Sequence, residues 1–346
     1  MNKDVFGLDI GATTMKLVWL KHGKGGYVLN AAMIAPTPPK GILSESPLDE
    51  EEMARAIKKI KDDAGVSIKR VNVALAENQV YTSVVEMPYL SDRELSSAIY
   101  WEAEQHIPVP LSSISLTWNV LNRPDKKDAT SKMQILMVGA PTLLINKYQK
   151  IFSMADLTIA AMETEILSTV RSLTSGPDAD KLPPTLIISI GAVSTSIAIV
   201  REGVMVFAYS MQVGGAAINR AIAADFGLTS AQAEEYKKAY GISGAALGLK
   251  IGQATQPILM SIIQEVKKSI AFYTQKYNDG APIRQIFLSG GTAKLSGIEL
   301  FIANNTGIEA VIANPWRVLG SQEVPKEILD NGSDYTIAVG LAMRDE

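Results

Sequence analysis

Two stretches of the chain carry the same alternation of apolar and small polar positions. Residues 7–20, GLDIGATTMKLVWL, align without a gap on residues 187–200, IISIGAVSTSIAIV; Ile10 falls on Ile190, Gly11 on Gly191, Ala12 on Ala192, Thr14 on Ser194 and Leu17 on Ile197. Each copy reads as a strand, a Gly and hydroxyl turn and a second strand. A Gly-bearing turn (Lys21 to Gly26; Arg201 to Gly203) and a third strand (Tyr27 to Ile34; Val204 to Met211) follow. Two copies fall short of the three or more repeats that a solenoid needs. They predict a duplicated, two-lobed α/β protein.

Elsewhere the periodicity changes. Met53, Ile57 and Ile60 recur at helical spacing and predict a helix over 47–65, acidic early and basic late, with a strand over 71–75 after it. An insertion without a counterpart in the second half comes next. It reads as a strand over 80–87, a helix over 91–106, and strands over 114–121 and 133–139 joined by a polar loop containing RPDKKDATS. Ser91 and Glu94 form a capping box, and Pro108 with Pro110 stops the helix. A helix over 141–154 closes the insertion, residues 157–173 return to the first lobe, and SLTSGPDADKLPP at 172–184 reads as the crossover. The second half continues with helices over 216–226 and 230–240. A long helix from Pro257 to Tyr277 follows, its stripe Ile258, Ile262, Val266, Ile270 and Tyr273 facing a core. A strand over 283–288, the turn SGG, a helix over 295–304, a strand over 309–312 and a helix over 335–343 complete the pattern. The expected division is a first lobe of 1–81 and 156–182, an inserted subdomain of 82–155, a second-lobe core of 183–215 and 282–346, and a helical subdomain of 216–281.

Composition narrows the chemistry. With 33 basic and 36 acidic residues the net charge is -3, which gives no electrostatic reason to expect nucleic acid as a partner. No cysteine is present, which excludes a disulfide scaffold, a thiolate metal site and a cysteine nucleophile; two histidines leave little for a triad or a multi-histidine centre. The amino terminus shows no signal-peptide pattern, and no apolar run approaches the roughly 18 residues of a membrane span. The expectation is a soluble cytoplasmic protein without direct membrane insertion, working with carboxylates, lysine, hydroxyls and backbone amides.

Several segments suit phosphate. In Asp9-Ile10-Gly11-Ala12-Thr13-Thr14, glycine lets the backbone approach an anion and the small residues leave amides and hydroxyls facing it. Asp9 could hold Mg²⁺ through water and Lys16 could neutralise a phosphate. Alone this is more readily an ordinary hairpin; its repetition at Gly191, Ala192, Val193 and Ser194 favours a polyphosphate gripped from both sides of a cleft. Leu288-Ser289-Gly290-Gly291-Thr292-Ala293-Lys294 reads as strand, double glycine and helix start, where a flat ring could lie on backbone. Gly214-Gly215 precedes another helix, and Glu234 and Lys237 share a helix face; taken singly, a plain connector and a solvated ion pair explain them. Neither a Walker A pattern nor G-x-G-x-x-G occurs, which disfavours P-loop and Rossmann sites.

Taken in order, GLDIGATTMKLV, ISIGAVSTSIAIV, VGGAAINRAIAADFGLTSAQAEEYK and IFLSGGTAKLSG resemble the phosphate, connecting and adenosine segments of the actin-like ATPase superfamily. YWEAEQHIPVPL (100–111), Ala271-Phe272-Tyr273 and Ala313-Asn314-Pro315 further resemble the PilM family of type IV pilus assembly. That resemblance implies a two-lobed actin-like ATPase fold, a duplicated ribonuclease H-like α/β architecture with an FtsA-type (SHS2) inserted subdomain. It implies ATP with Mg²⁺ between the lobes. Gly11, Ala12, Thr13, Thr14 and Lys16 would hold one side of the phosphates and Gly191, Ala192, Val193 and Ser194 the other, with Gly214 and Gly215 beside them. Glu234 and Lys237 would hold the ribose, and Gly290 and Gly291 the adenine. It further implies a scaffold at the inner membrane, held there by binding the N-terminal cytoplasmic tail of PilN and by other pilus platform proteins. The family's second phosphate turn usually reads Asp-Ile-Gly, whereas this chain has Ser189-Ile190-Gly191. Loss of that carboxylate predicts slow hydrolysis at most. A small-molecule kinase would need a base beside the transferred phosphoryl group, and no candidate Asp stands in a distinctive turn of the insertion. An FtsA-like division protein would be expected to carry a C-terminal amphipathic helix, for which LAMRDE offers no pattern.

Overall fold

The computed structural model describes residues 4–23, 26–125, 132–176, 181–244, 246–277, 281–320 and 322–344. β1 (Phe6–Ile10), β2 (Thr14–Gly23) and β3 (Gly26–Pro36) form an antiparallel meander, and β4 (Arg70–Leu75) and β8 (Thr158–Thr164) extend it in parallel to the order β3-β2-β1-β4-β8. The second copy repeats the plan. β9 (Thr185–Ile190), β10 (Thr195–Arg201) and β11 (Val204–Met211) form the meander, and β12 (Gln285–Ser289) and β13 (Glu309–Ile312) complete the order β11-β10-β9-β12-β13. The repetition reaches the irregularities: the β2–β3 register shifts between Trp19 and Leu20, and the β10–β11 register at the aligned Ile199 and Val200. β1 is buried along its whole length, as expected of a central strand with helices on both faces.

α1 (Pro47–Asp63) and α3 (Thr142–Met154) cover one face of the first sheet through Met53, Ile57, Ile60, Tyr148, Ile151 and Phe152. Thr164 caps α4 (Glu165–Thr174), its hydroxyl accepting from the Leu167 N–H. α4 crosses α10 (Gly332–Ala342) so closely that a Cβ on Gly340 would stand 1.9 Å from the Ser168 carbonyl oxygen. α5 (Gly215–Phe226), α6 (Ser230–Tyr240) and α7 (Ala246–Lys276) pack Ile218, Ile222, Ala233, Ile262 and Val266 against the second sheet. α8 (Ile298–Thr306) and the short α9 (Lys326–Asp330) follow later in the second half of the chain.

The insertion is a three-stranded antiparallel sheet of β5 (Tyr81–Met87), β6 (Ile114–Asn122) and β7 (Met133–Pro141), in the order β5-β7-β6. α2 (Asp92–His106) lays Leu95, Ile99 and Ala103 on one face, and the Ser91–Glu94 capping box forms as its sequence requires. Residues 126–131 of the polar loop lie outside the described residues.

Four expectations need correction. The long helix starts at Ala246, not Pro257: the stripe runs upstream through Leu247 and Ile251, and the proline sits inside the helix. Thr255 bonds back to the Ile251 carbonyl just ahead of it. No α-helix starts at the double glycine. A 3-10 turn spans Gly291–Lys294, Leu295 is extended, and α8 begins only after Gly297, whose φ is +92°. α3, grouped by sequence with the insertion, belongs to the first-lobe core. α10, grouped with the second lobe, packs on β1 and β2, where a Cβ on Gly7 would meet the Ala338 oxygen at 2.3 Å.

Candidate functional site

Both glycine turns close with the same bond: the Gly11 N–H donates to the Thr14 carbonyl at 3.1 Å and the Gly191 N–H to the Ser194 carbonyl at 2.9 Å. Ala12, Thr13 and Val193 are exposed at the two tips, Gly11, Thr14, Gly191 and Ala192 are half-buried, and Ser194 is buried beneath. Glycine is needed at 11, where a Cβ would sit 2.9 Å from the Thr14 oxygen. Thr37 braces the first turn, its hydroxyl donating to the Gly11 carbonyl at 2.7 Å and its N–H to the Thr13 carbonyl at 3.0 Å. The second turn is braced by the start of α5, where Gly215 and Ala216 N–H groups donate to the Gly191 and Ala192 carbonyls at 2.9 and 2.8 Å. Gly214 and Gly215 are therefore buried spacers that let the helix touch the turn; a Cβ on Gly214 would lie 2.7 Å from the Gly191 oxygen.

The SGG segment closes on the same place. Gly290 has φ +83°, and a Cβ there would stand 2.5 Å from the Ile190 oxygen, so only glycine lets β12 end against the second turn. Thr292 donates to the Gly191 carbonyl at 3.4 Å, and Asp334, at the start of α10, lies against Gly291 and pairs with Lys294 at 2.5 Å. Lys237 is buried, not solvated. Its ammonium lies 2.6 Å from Glu234 and beside Gly215, and Asn219 also donates to Glu234 at 2.6 Å. Partial burial works against the Glu234 charge, but Lys237, Asn219 and Lys238 outweigh it and hold the carboxyl below its ordinary range.

The floor of the first turn is acidic. Asp9 is 2% exposed and lies 3.5 Å from Lys16, its register partner on β2. Burial raises its pKa, Lys16 opposes this, and Asp334 at the start of α10 adds to the rise. Glu165 opens α4 at the end of β8; burial, then the charges of Asp9 and Glu77, push its carboxyl up to about 8. Glu77, buried where the chain leaves β4 for the insertion, is also raised, by burial above all. A divalent cation would offset this crowding of carboxylates. No cluster of three His, Asp or Glu among the described residues forms a metal centre of its own, so such a cation would need phosphate oxygens besides Asp9.

Glu77, Glu165, Thr37, Thr292 and Asp334 were not singled out by sequence. Their only signal is position: Glu77 stands two residues beyond β4, which flanks β1, and Glu165 one residue beyond β8, the next strand out. Ser189 falls on β9 where Asp9 falls on β1, between Ser196 and Ser289 in register, so no acid faces the second turn from that strand.

The insertion offers a separate surface. Trp101 is 74% exposed on α2, so it is not a core residue, and Tyr100 beside it meets the Trp118 ring edge-on. A groove of about 380 Å³ runs between β5, the end of α2 and β11, lined by Glu77, Asn78, Tyr81, His106, Tyr209 and Gln212 among others. β5 and β11 are both edge strands of their sheets. The groove lacks the glycine turns that suit a phosphate, which lie between the two five-stranded sheets instead.

Among proteins of known structure, the PilM–PilN type IV pilus biogenesis complex contains a chain similar to this one, with a TM-score of 0.85 at 25% identity over 99% of both chains. The ethanolamine utilisation protein EutJ of Carboxydothermus hydrogenoformans (TM-score 0.58, 13% identity, 98% of this chain and 88% of that one) shares the fold. So does MreB5 of Spiroplasma citri bound to AMPPNP (0.51, 12%, 98% and 94%). The cell division protein FtsA of Streptococcus pneumoniae is 23% identical over 351 residues, 87% of this chain and 76% of that protein. These likenesses establish the two-lobed actin-like fold. The model of the type IV pilus assembly protein PilM matches from residue 7 to residue 346, and by that span the chain belongs to the PilM family.

Proposed function

We propose that the chain binds ATP with Mg²⁺ between its two five-stranded sheets and serves as a scaffold of the pilus assembly platform, holding the N-terminal cytoplasmic tail of PilN on its inserted module. The observation that carries the nucleotide reading is the pair of identically bonded turns, Gly11–Thr14 and Gly191–Ser194, with Gly290 seated against the second. The backbone of both turns, with the Thr13 and Thr14 hydroxyls of the first, would take phosphate oxygens, with Lys16 as the cation on one side. Asp9 would hold Mg²⁺ through water, and the ion would neutralise phosphate charge. Glu234 and Lys237 would meet the ribose and Gly290–Gly291 the base.

The partner reading draws on the PilM–PilN complex, to which this chain is similar along its length, and on the unpaired edge of β5 and the exposed Trp101. No helix of the described residues is long and apolar enough to cross a membrane, so attachment at the inner membrane would come through PilN. Calorimetry with ATP and Mg²⁺, and capture of a synthetic PilN-tail peptide, test the two halves separately. Absence of ATP affinity in the folded chain would remove the first, and absence of peptide capture the second.

A further inference from the structure

The inserted module is fastened at both ends, to different lobes. At its root, the Glu77 carboxylate accepts from the Ile166 N–H at 3.3 Å, and the Glu77 N–H donates to the Glu165 carboxylate at 3.3 Å. This reciprocal pair ties the second residue beyond β4 to the first turn of α4, and Glu165 lies close enough to Asp9 to feel its charge. At the other end, Glu86 on β5 pairs with Lys276, the last residue of α7, at 2.6 Å, and Gln134 on β7 donates to the Tyr277 hydroxyl at 2.6 Å. Between these ends, Leu136 joins one apolar cluster with Ile166 and Val170 of the first lobe and Ile187, Ala198 and Phe287 of the second. The module thus spans both lobes.

The two fastenings differ in strength. Glu77 is 5% exposed, and a buried carboxylate left without its N–H partner bears the full cost of desolvation. Lys276 and Glu86 keep 21% and 32% of their side-chain surface, so water can replace their bond at little cost. The module's hold on the second lobe, through Lys276 and the packing of β5 on β11, is therefore more open to water than its buried root on α4.

We propose that the inserted module is a strut that reports the position of the lobes, with its contact to α7 shifting when the cleft fills, and that Glu77 is the positioning residue that transmits the shift from Glu165. The inference rests on the reading that nucleotide binds between the lobes. It makes the module's outer surface responsive to nucleotide, and by reciprocity makes nucleotide affinity responsive to whatever the module holds.

Hydrogen exchange on the full chain, with and without AMPPNP and Mg²⁺, tests it. In the unaltered chain AMPPNP should change the opening of β5 and β7 by about fivefold or more, in addition to protecting the glycine turns. At saturating AMPPNP, whatever its affinity, Glu77→Ala should lose the response in β5 and β7, and Glu77→Gln, whose amide oxygen can still accept from Ile166, should keep most of it. A purely structural role for Glu77 would lower the melting temperature without uncoupling the module from the ligand. The inference is overturned if the response is confined to the cleft segments in the unaltered chain, or if it survives in Glu77→Ala. If calorimetry shows no AMPPNP affinity in the unaltered chain, the cleft reading itself fails and takes this inference with it.

Discussion

Glu165→Gln should stabilise the ligand-free chain, by an amount that grows with pH. The folded carboxyl titrates near 8 because burial, Asp9 and Glu77 all disfavour its charge, against 4.5 for a free side chain. An acid whose folded pKa is raised holds a proton that the unfolded chain has already released, so stability falls as pH climbs from about 4.5 through about 8. One proton taken up on folding gives a slope of about 1.4 kcal/mol per pH unit, flattening near the folded pKa. From pH 6 to pH 8 the loss attributable to Glu165 integrates to about 2 kcal/mol, an upper bound because the residue retains some solvent access. Glutamine keeps an acceptor for the Glu77 N–H and has nothing to ionise. Urea unfolding of the two proteins at pH 6, 7 and 8, with chelator present, should therefore show a stability gap that widens by up to about 2 kcal/mol across the range. A gap that stays constant with pH would refute the placement of Glu165 in a desolvated, acid-crowded site.

Other outcomes follow from the same geometry. Lys16→Met should weaken ATP by about tenfold to a hundredfold in calorimetry, through loss of one charge-assisted contact worth about 1.5–3 kcal/mol; unchanged affinity would take Lys16 off the phosphates. Ser189→Asp should raise phosphate release by about tenfold or more over a slow baseline, and fast hydrolysis by the unaltered chain would show that Ser189 is no impediment. Trp101→Ala should leave the melting temperature nearly unmoved, since the ring is 74% exposed, yet reduce PilN-tail capture about tenfold; full capture would place the peptide elsewhere on the module. Gly340→Val should destabilise the fold by at least about 1–3 kcal/mol, because no side chain fits against the Ser168 carbonyl; a neutral effect on urea unfolding would mean that α4 and α10 separate easily.

Much of the fold was legible because a duplication repeats every local cue. Gly11 and Gly191 mark turns that no other residue pattern explains as well twice, and the apolar spacing of α2 sits on a capping box, Ser91 with Glu94, that the structure uses. What escaped is decided by packing between distant segments. Pro257 reads as a helix start by local rule, and only burial of Ile251 and Leu259 on the same stripe carries the helix through it. α10 has apolar residues nearly all round, so its pattern names no neighbour; Gly7 and Gly340, far apart in sequence, make room for it on the first lobe.

The site divides along the same line. Small residues in turns announce themselves, because glycine is costly to use where the backbone does not need it. Glu165 and Glu77 do not, because an acid one or two residues past a strand end is common, and what sets these two apart is that folding brings them together in a desolvated site, with Asp9 close enough to Glu165 to add its charge. The insertion shows the difference most plainly. Its strands and capped helix are local and were read correctly, yet Leu136 is part of a core shared by both lobes, and α3, which follows it, is first-lobe core. Excision of 82–155 would therefore strip apolar cover from both lobes and fail as a binding test for reasons unrelated to the partner. Substitution at exposed positions such as Trp101 separates recognition from folding, and the module can be probed only in place, because the fold uses it as apolar cover for both lobes as well as a surface.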